Sequence, residues 1–394
     1  MVLARAGQAS PVRLLLMSGS ALAALCAPAL ASAQEAAQDS GADADAYSAE
    51  EDASAGNSII VTATKREVTL QDVPVAVSVT TAETIERAQI RDLRDLQTVV
   101  PSLSVGQRQS VGNTNFFIRG FGNGANNAGI EPCVGVFVDN VYRSRTVSQI
   151  TDLPDVQRIE VLRGPQSTLF GKNASAGVIS ISTQEPRFDF GGSAELTYGS
   201  YDQVLAKGYV TGPLSGDVAA FSLAGGINKR DGLFRDLGTG DTTNERDRWF
   251  ARGQLLLRPS DGVRLRLIAD YDKIDENCCA VVNLQDGLGT PVIRALGGQV
   301  NTPAQADDLI VYNNYNSTND IENYGFSGQA DFDVGAFTLT SITAYRQTDA
   351  VTYQDSDFTS ADLIYPNFQD LDVSTFTQEL RFAGKIGDRI DLLL

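Results

Sequence analysis

DVQRIEVLRGPQSTLFGKNASAGVISIST, Asp155 to Thr183, is the stretch on which the reading of the chain turns. Val156, Arg158 and Glu160 alternate with Gln157, Ile159 and Val161, the period of two with which a strand presents two different faces. Gly164 and Pro165 force a tight turn, a short helical turn follows, and a glycine-bounded strand runs from Val178 to Ser182. Taken by itself this is any small α/β unit, with Arg158, Glu160 and Arg163 on a solvated face, because periodicity carries no function.

The totals narrow the field. A chain of 394 residues has room for two or three domains and a sizeable core. Lys and Arg number 31 against 49 Asp and Glu, a formal charge of -18, which argues against nucleic acid and against a polybasic membrane anchor. The chain has no histidine, which excludes Ser-His-Asp triads, Cys-His dyads and imidazole metal sites. After the amino terminus nothing approaches the roughly 20 consecutive apolar residues of a membrane-crossing helix. If the chain crosses a bilayer, it does so as strands.

The wording of the segment says more than its period. RIEVLRGP, followed by small residues and an apolar strand, resembles the plug domain of TonB-dependent outer-membrane receptors. Other segments similar to that family stand in order around it: IIVTATKRE at Ile59 to Glu67, VPSLSV at Val100 to Val105, FFIRGFG at Phe116 to Gly122, and VGVFVDNVYRSR at Val134 to Arg145. The resemblance implies an α+β plug domain inside an antiparallel transmembrane β-barrel. Its implied organisation is a signal peptide at 1–33, an acidic flexible linker at 34–58, a TonB box at 59–66, the plug at 67–186 and the first part of the barrel at 187–394.

Arg5 and Arg13, the apolar run Leu14 to Leu30 and Ala31-Ser32-Ala33 read as a secretory signal cleaved before Gln34. A lipoprotein signal ending at Cys26 is the rival, disfavoured by the bulky Leu25 before it. Asp39, Asp43, Asp45, Glu50, Glu51 and Asp52 then mark a stretch with nothing to build a core, expected to be mobile. It is too short for the extra folded domain of signal-transducing family members, so transport without that module is expected. Ile59, Ile60, Val61, Thr62, Ala63 and Thr64 are the TonB box by resemblance, a β-branched run able to add as a strand to a partner's sheet edge; the plug's own first strand is the alternative.

Within the plug, Val75 to Val79 reads as a strand. Thr81 caps a helix ending near Ala88, and Leu93 to Val99 reads as a second helix stopped by Pro101. Gln107 to Pro132 is rich in Gly and Asn and reads as flexible loops carrying little core. Such loops touch ligand in the family, which makes Asn113, Phe121, Asn126 and Asn127 candidate contacts, with a solvated turn cluster as the alternative. The resemblance also implies that Arg119 and Arg163 meet barrel glutamates, because buried arginines must be paired. Glu379, in the inward register of QELRF, is the candidate partner, and Glu160 is counted with the cluster.

After Pro186 the pattern becomes period two. Arg264, Arg266, Asp270 and Asp272 alternate with Val263, Leu265, Leu267, Ala269 and Tyr271; Asn323, Gly325, Ser327, Gln329 and Asp331 alternate with Tyr324, Phe326, Ala330 and Phe332. One apolar and one charged face over long strands suits a lipid-facing barrel with a wet interior. Tight links at Pro213 to Asp217, Pro259 to Gly262, Asp333 to Ala336 and Gly384 to Asp388 alternate with long ones at Asp231 to Glu245, Asp275 to Asp320 and Val351 to Asp372. The count is about nine strands where plugged transporter barrels have roughly 22, so the chain reads as truncated, with two unpaired sheet edges. Cys133, Cys278 and Cys279 would face an oxidising compartment; the adjacent pair could bridge each other only with strain, and pairing elsewhere or a free thiol are the alternatives.

The function implied is import of a scarce ligand across the outer membrane of a Gram-negative bacterium, energised through TonB and its inner-membrane complex. Ferric siderophores are the commonest cargo of the family, with carbohydrate or another nutrient as alternatives. The expected partners are TonB, that ligand and outer-membrane lipid. No cofactor, metal, nucleic acid or covalent chemistry is expected. A passive porin or adhesin would have no plug, and a secreted enzyme would need a catalytic constellation that is not found.

Overall fold

The computed structural model describes residues 59–394 apart from 63, 67, 125, 126, 128 and 388. The expected signal peptide and acidic linker, with Ala63 and Asn126, lie outside the described residues. The chain begins with β1 (Ile60–Val61) and β2 (Val68–Thr69), a short antiparallel pair, then β3 (Val77–Thr81) and α1 (Ala82–Arg87). Thr81 is the N-cap: its Oγ1 accepts from Thr84 N, and the helix closes at Ala88. The second helix expected from Leu93 to Val99 is only a 3-10 turn, Asp95–Thr98. The segment closes through i to i+3 bonds, Asp95 N to Asp92 O and Val99 N to Leu96 O, the tighter pattern of a short 3-10 turn.

β4 (Leu103–Gln107), β5 (Thr114–Ile118) and β6 (Phe121–Gly122) form a small antiparallel sheet. The segment from Gln107 to Pro132 is therefore not the core-poor loop cluster expected from its composition, since Val111, Phe116 and Ile118 are buried in the core. The residues between β5 and β6 are Arg119 and Gly120, at φ 54° and 80°, the left-handed pair of a two-residue hairpin turn.

β7 (Val134–Val138), β8 (Val141–Arg143), β9 (Val156–Arg163), α2 (Ser167–Phe170) and β10 (Gly177–Thr183) complete the plug. Its central sheet has the order β3-β9-β10-β7-β8, with β10 parallel to β7 and antiparallel to β9. Both faces are covered. Ile159, Val161, Ile179 and Ile181 pack with Ile90, Leu93, Leu96 and Phe116. Leu162 and Val178 pack with Phe137, Ala174 and Val61 of β1. The solvated face allowed for Arg158 and Glu160 does not exist: Glu160 is 0% exposed and Arg158 is paired to it.

Beyond Pro186 runs a nine-stranded antiparallel sheet, the wall: β11 (Gly191–Gly199), β12 (Gln203–Ser215), β13 (Ala219–Arg230), β16 (Arg246–Ser260), β17 (Val263–Asn277), β19 (Thr318–Val334), β20 (Phe337–Gln354), β21 (Asn367–Ile386) and β22 (Ile390–Leu393). β11 and β22 are its outermost strands. The intervening labels fall in the long connections, where β14 (Phe234–Asp236), β15 (Thr242–Thr243) and β18 (Ile310–Val311) form a three-stranded cap, with α3 (Gly289–Ala295) and α4 (Pro303–Asp307) nearby in sequence. β19, β20 and β21 reach 17, 18 and 20 residues, so the second and third long connections are shorter than the sequence pattern suggested, while the first runs from Asp231 to Glu245 as expected.

The wall buries its polar face. Arg248, Arg252, Arg266, Asp272, Glu276, Asn319 and Asn323 are buried toward the plug, while Leu267, Phe326, Phe376 and Leu380 on the other face are 49, 66, 68 and 64% exposed. A water-soluble sheet does the reverse, because burying apolar area is what drives it together.

Candidate functional site: the contact between plug and wall

The plug is held to the wall by buried ion pairs, most of them of a polarity opposite to that expected: the plug supplies carboxylates to wall arginines, except where its Arg143 meets Asp270 and its Lys65 meets Glu379. Arg248 of β16 binds Glu276 of β17 and reaches Asp92 at 3.3 Å and Asp152 at 3.4 Å, both in the plug. Asp92 and Asp152 are brought together by a backbone bridge, and Asn228 of β13 donates to Asp152 at 2.9 Å. Lower on the wall, Arg252 and Arg266 both pair with Asp139, the residue after β7. Asp139 also accepts from Thr183 N and Oγ1, at 3.0 and 2.9 Å. Asp270 of β17 gathers Arg252, Arg346 and the plug's Arg143. Arg264 joins Glu185 to Asp331 at the end of the plug.

These charges are stabilised by one another rather than by water. Burial pushes the Asp139 carboxyl up, but Arg266, Arg252 and Thr183 outweigh it and hold it below the ordinary carboxylate value. For Asp92 burial is likewise outweighed, by Arg94 and Arg248. At Asp152 burial wins over Arg248 and Asn228, with Asp92 adding to it, and its carboxyl is raised. Removing one member of such a set strands the others, at about 3–5 kcal/mol.

The predicted arginines do not join this set. Arg119 sits exposed at its hairpin turn, and Arg163 is partly buried with its Nε unpartnered; neither forms an ion pair among the described residues. Glu379 pairs instead with Arg381 on its own strand and with Lys65 at 3.4 Å. Glu160 is taken by Arg158 and by Thr62, whose N donates at 2.9 Å and Oγ1 at 3.1 Å. Arg119 is held in an exposed turn, while Lys65 and Thr62 of the amino-terminal segment take Glu379 and Glu160.

That segment is a strap. Ile60 pairs with Thr69 and Val61 with Val68, Leu70 N donates to Ile59 O, and Val61 is wholly buried while Ile59 and Ile60 remain exposed. In this structure Ile60 and Val61, of the run Ile59 to Thr64, thus form a short strand laid against Val68 and Thr69. Lys65 follows it, its side chain 4% exposed, with Nζ 4.4 Å from the Phe170 ring centroid, 5.2 Å from that of Phe137 and within reach of Glu379. Burial, and Arg381 after it, bring its pKa down to about 8 against the pull of Glu379. Arg66 lies 3.7 Å from Asp391.

Of the candidate ligand contacts, Phe121 is 73% exposed and Asn127 is exposed, its Oδ1 accepting from Gly129 N. Asn113 is buried, a correction: it closes a 3-10 turn capped by Ser110, and the adjoining Val111 N donates to Asn319 of β19 at 3.1 Å. Cys278 and Cys279 are bonded to each other and buried against the plug, where Gln107 Nε2 lies 2.6 Å from Cys279 Sγ; Cys133 is free. Lys65, Asp92, Asp139 and Asp152 were missed from sequence. One signal existed: Arg264 and Arg266 were read on the inward face, and buried arginines require acids on whatever fills the interior.

Comparison with known proteins fits this geometry. Residues 69–178 match the family model of the TonB-dependent Receptor Plug Domain. The pesticin receptor of Yersinia pestis is 29% identical over 225 residues, 57% of this chain and 29% of the receptor. The ferrioxamine B receptor of Salmonella typhimurium is 28% identical over 212 residues, 50% of this chain and 27% of the receptor. The crystal structure of the ferric yersiniabactin uptake receptor of Yersinia pestis superposes with a TM-score of 0.66 at 22% identity, covering 81% of this chain and 47% of that one. The chain thus spans under a third of the length of these curated relatives. It carries the plug domain of TonB-dependent receptors, and its strands are laid out as in the barrels of those receptors.

Proposed function

We propose that this chain is the plug-bearing part of an outer-membrane receptor of a Gram-negative bacterium, which takes up a ferric siderophore using energy delivered by TonB. The observation that carries the reading is the inverted burial of the wall, apolar residues outward and ion pairs inward around a plug. Aromatics edge the outward face. Trp249, Tyr271 and Tyr324 stack at 4.7 and 6.3 Å near one end, and Phe337 and Phe382 at 4.7 Å near the other. From Tyr324 to Phe332 along β19 is about 26 Å at roughly 3.3 Å per residue, and less across a tilted sheet, comparable with the ~25 Å apolar band of such barrels.

A plug that fills the interior disfavours a passive pore, and the names of the relatives favour iron chelates as cargo. In this reading the strap is the TonB-binding element. It is tied by Thr62 to Glu160 and by Lys65 to Glu379, contacts that must part before Ile59 to Thr64 can add to the edge of a partner's sheet. The test is uptake of radioactive iron from a panel of siderophores by cells carrying the full-length receptor, with and without TonB. Uptake that requires both supports the reading, and none on any chelate sinks it. Val61→Pro should abolish energised uptake and leave ligand binding intact.

A further inference from the structure

The plug is not held evenly along these nine strands. The ion pairs of Arg248, Arg252 and Arg266, the Val111 bond to Asn319, the 2.8 Å contact of Ser144 with Thr375 and the Lys65 pair all engage β16 to β21. Toward β11 to β13, among the described residues, the polar ties reduce to Asn228 on Asp152 and Tyr209 Oη donating to Glu185 O at 3.4 Å. Between α1 and these three strands lies a cavity of about 430 Å³, whose lining includes Glu86, Arg91, Asp155, Glu195 and Lys207. Asp155 Oδ2 in this lining is buried and has no partner. A buried carboxylate oxygen in that position calls for water or a polar solute donating to it.

Chain order adds a mechanical argument. β3 is the edge strand of the plug sheet, it follows the strap directly, and α1 follows β3. Once Thr62 has parted from Glu160 of β9, tension applied at β1 passes along the chain through β3 and α1, at the cavity, before it reaches Asp92, Asp139 or Asp152.

We infer that the passage opens on the β11 to β13 side, by α1 leaving that stretch of wall while the plug stays pinned to β16 to β21. This rests on the import reading above. The cavity is the closed form of a route for a polar solute: Glu86, Arg91, Asp155, Glu195 and Lys207 set charges among apolar neighbours such as Ile85 and Phe250.

The test uses single cysteines in the full-length receptor with Cys133→Ser: Lys207→Cys on the cavity side and Ala350→Cys on the pinned side, where Ala350 packs in the plug core cluster. Labelling by a water-soluble maleimide is timed in living cells with TonB, with and without an uncoupler. The expected result is that energy raises the rate at position 207 by about tenfold, the effect of an opening made easier by about 1.4 kcal/mol, and leaves position 350 unchanged. Equal or greater acceleration at position 350 overturns the inference and leaves the import reading standing. No response to energy at either position overturns both.

Discussion

Strand β9 of the plug and strand β17 of the wall alternate alike and bury opposite things. β9 buries Ile159, Val161 and Leu162 on two covered faces, and even its Glu160 is sealed under the strap. β17 leaves Leu267 half exposed and buries Arg266, Asp272 and Glu276. A period of two states that the faces differ. Which face goes inside depends on what lies beyond the strand, a second layer of core for β9 and hydrocarbon for the outer face of β17.

That contrast can be broken first at its charged side. Arg248→Ala should strand Asp92, Asp152 and Glu276 in the interior and weaken plug seating by about 3–5 kcal/mol, read as a drop in the denaturant midpoint of the plug. Unchanged unfolding would show that the pairs contribute no net stability. Ile159→Ala in β9 should cost about 2–5 kcal/mol by opening a cavity, whereas Leu267→Ala in β17 should cost under about 0.5 kcal/mol in detergent. Leu267→Arg sharpens the comparison. In a bilayer it should destabilise by up to about 2–4 kcal/mol, and in a water-soluble sandwich an exposed arginine would be tolerated.

Smaller effects are expected at the strap and the cavity. Lys65→Met keeps the apolar stem between Phe137 and Phe170 but releases Glu379, so global stability should shift by less than about 1 kcal/mol while protease cutting near residues 59–69 speeds up. Equal cutting rates would mean that the lysine does not hold the strap. Burial pushes the Asp155 carboxyl up to about 7, with Arg252 and Arg266 opposing and Asp139 reinforcing, and Tyr209 faces it from β12. An acid whose folded pKa lies above its ordinary 3.8 contributes stability that is complete below 3.8 and lost as pH rises through 7. The plug should accordingly be seated more firmly at pH 5 than at pH 8, by an amount reduced by the partial exposure of the site, and Asp155→Asn should flatten that slope in pH-dependent denaturation.

The strand, turn and strand from Val156 to Thr183, the Thr81 cap and the nine-strand alternation were all legible, because each is written in local spacing and local capping. The helix expected at Leu93 to Val99 is reduced to the 3-10 turn Asp95–Thr98, a tightening to i to i+3 bonds that composition does not reveal. Asn113 looked like a loop residue and is buried, because Val111 beside it is bonded to a strand more than two hundred positions away. The partners of Glu379 and Glu160 were misassigned for the same reason. Ion pairing depends on which side chains the fold brings within about 4 Å, and spacing along the chain says nothing of that across the interior.

By itself the sequence determined the period of each strand, the breaks between them, the two-part division near Pro186 and the likeness of its motifs to plug domains. Tertiary structure decided the polarity of the plug-to-wall ion pairs, the role of Lys65, the burial of Asn113 and the side on which the cavity lies. Local features follow from steric and hydrogen-bonding rules that act over a few residues, whereas charge pairing and cavities are set by the juxtaposition of surfaces far apart in the chain.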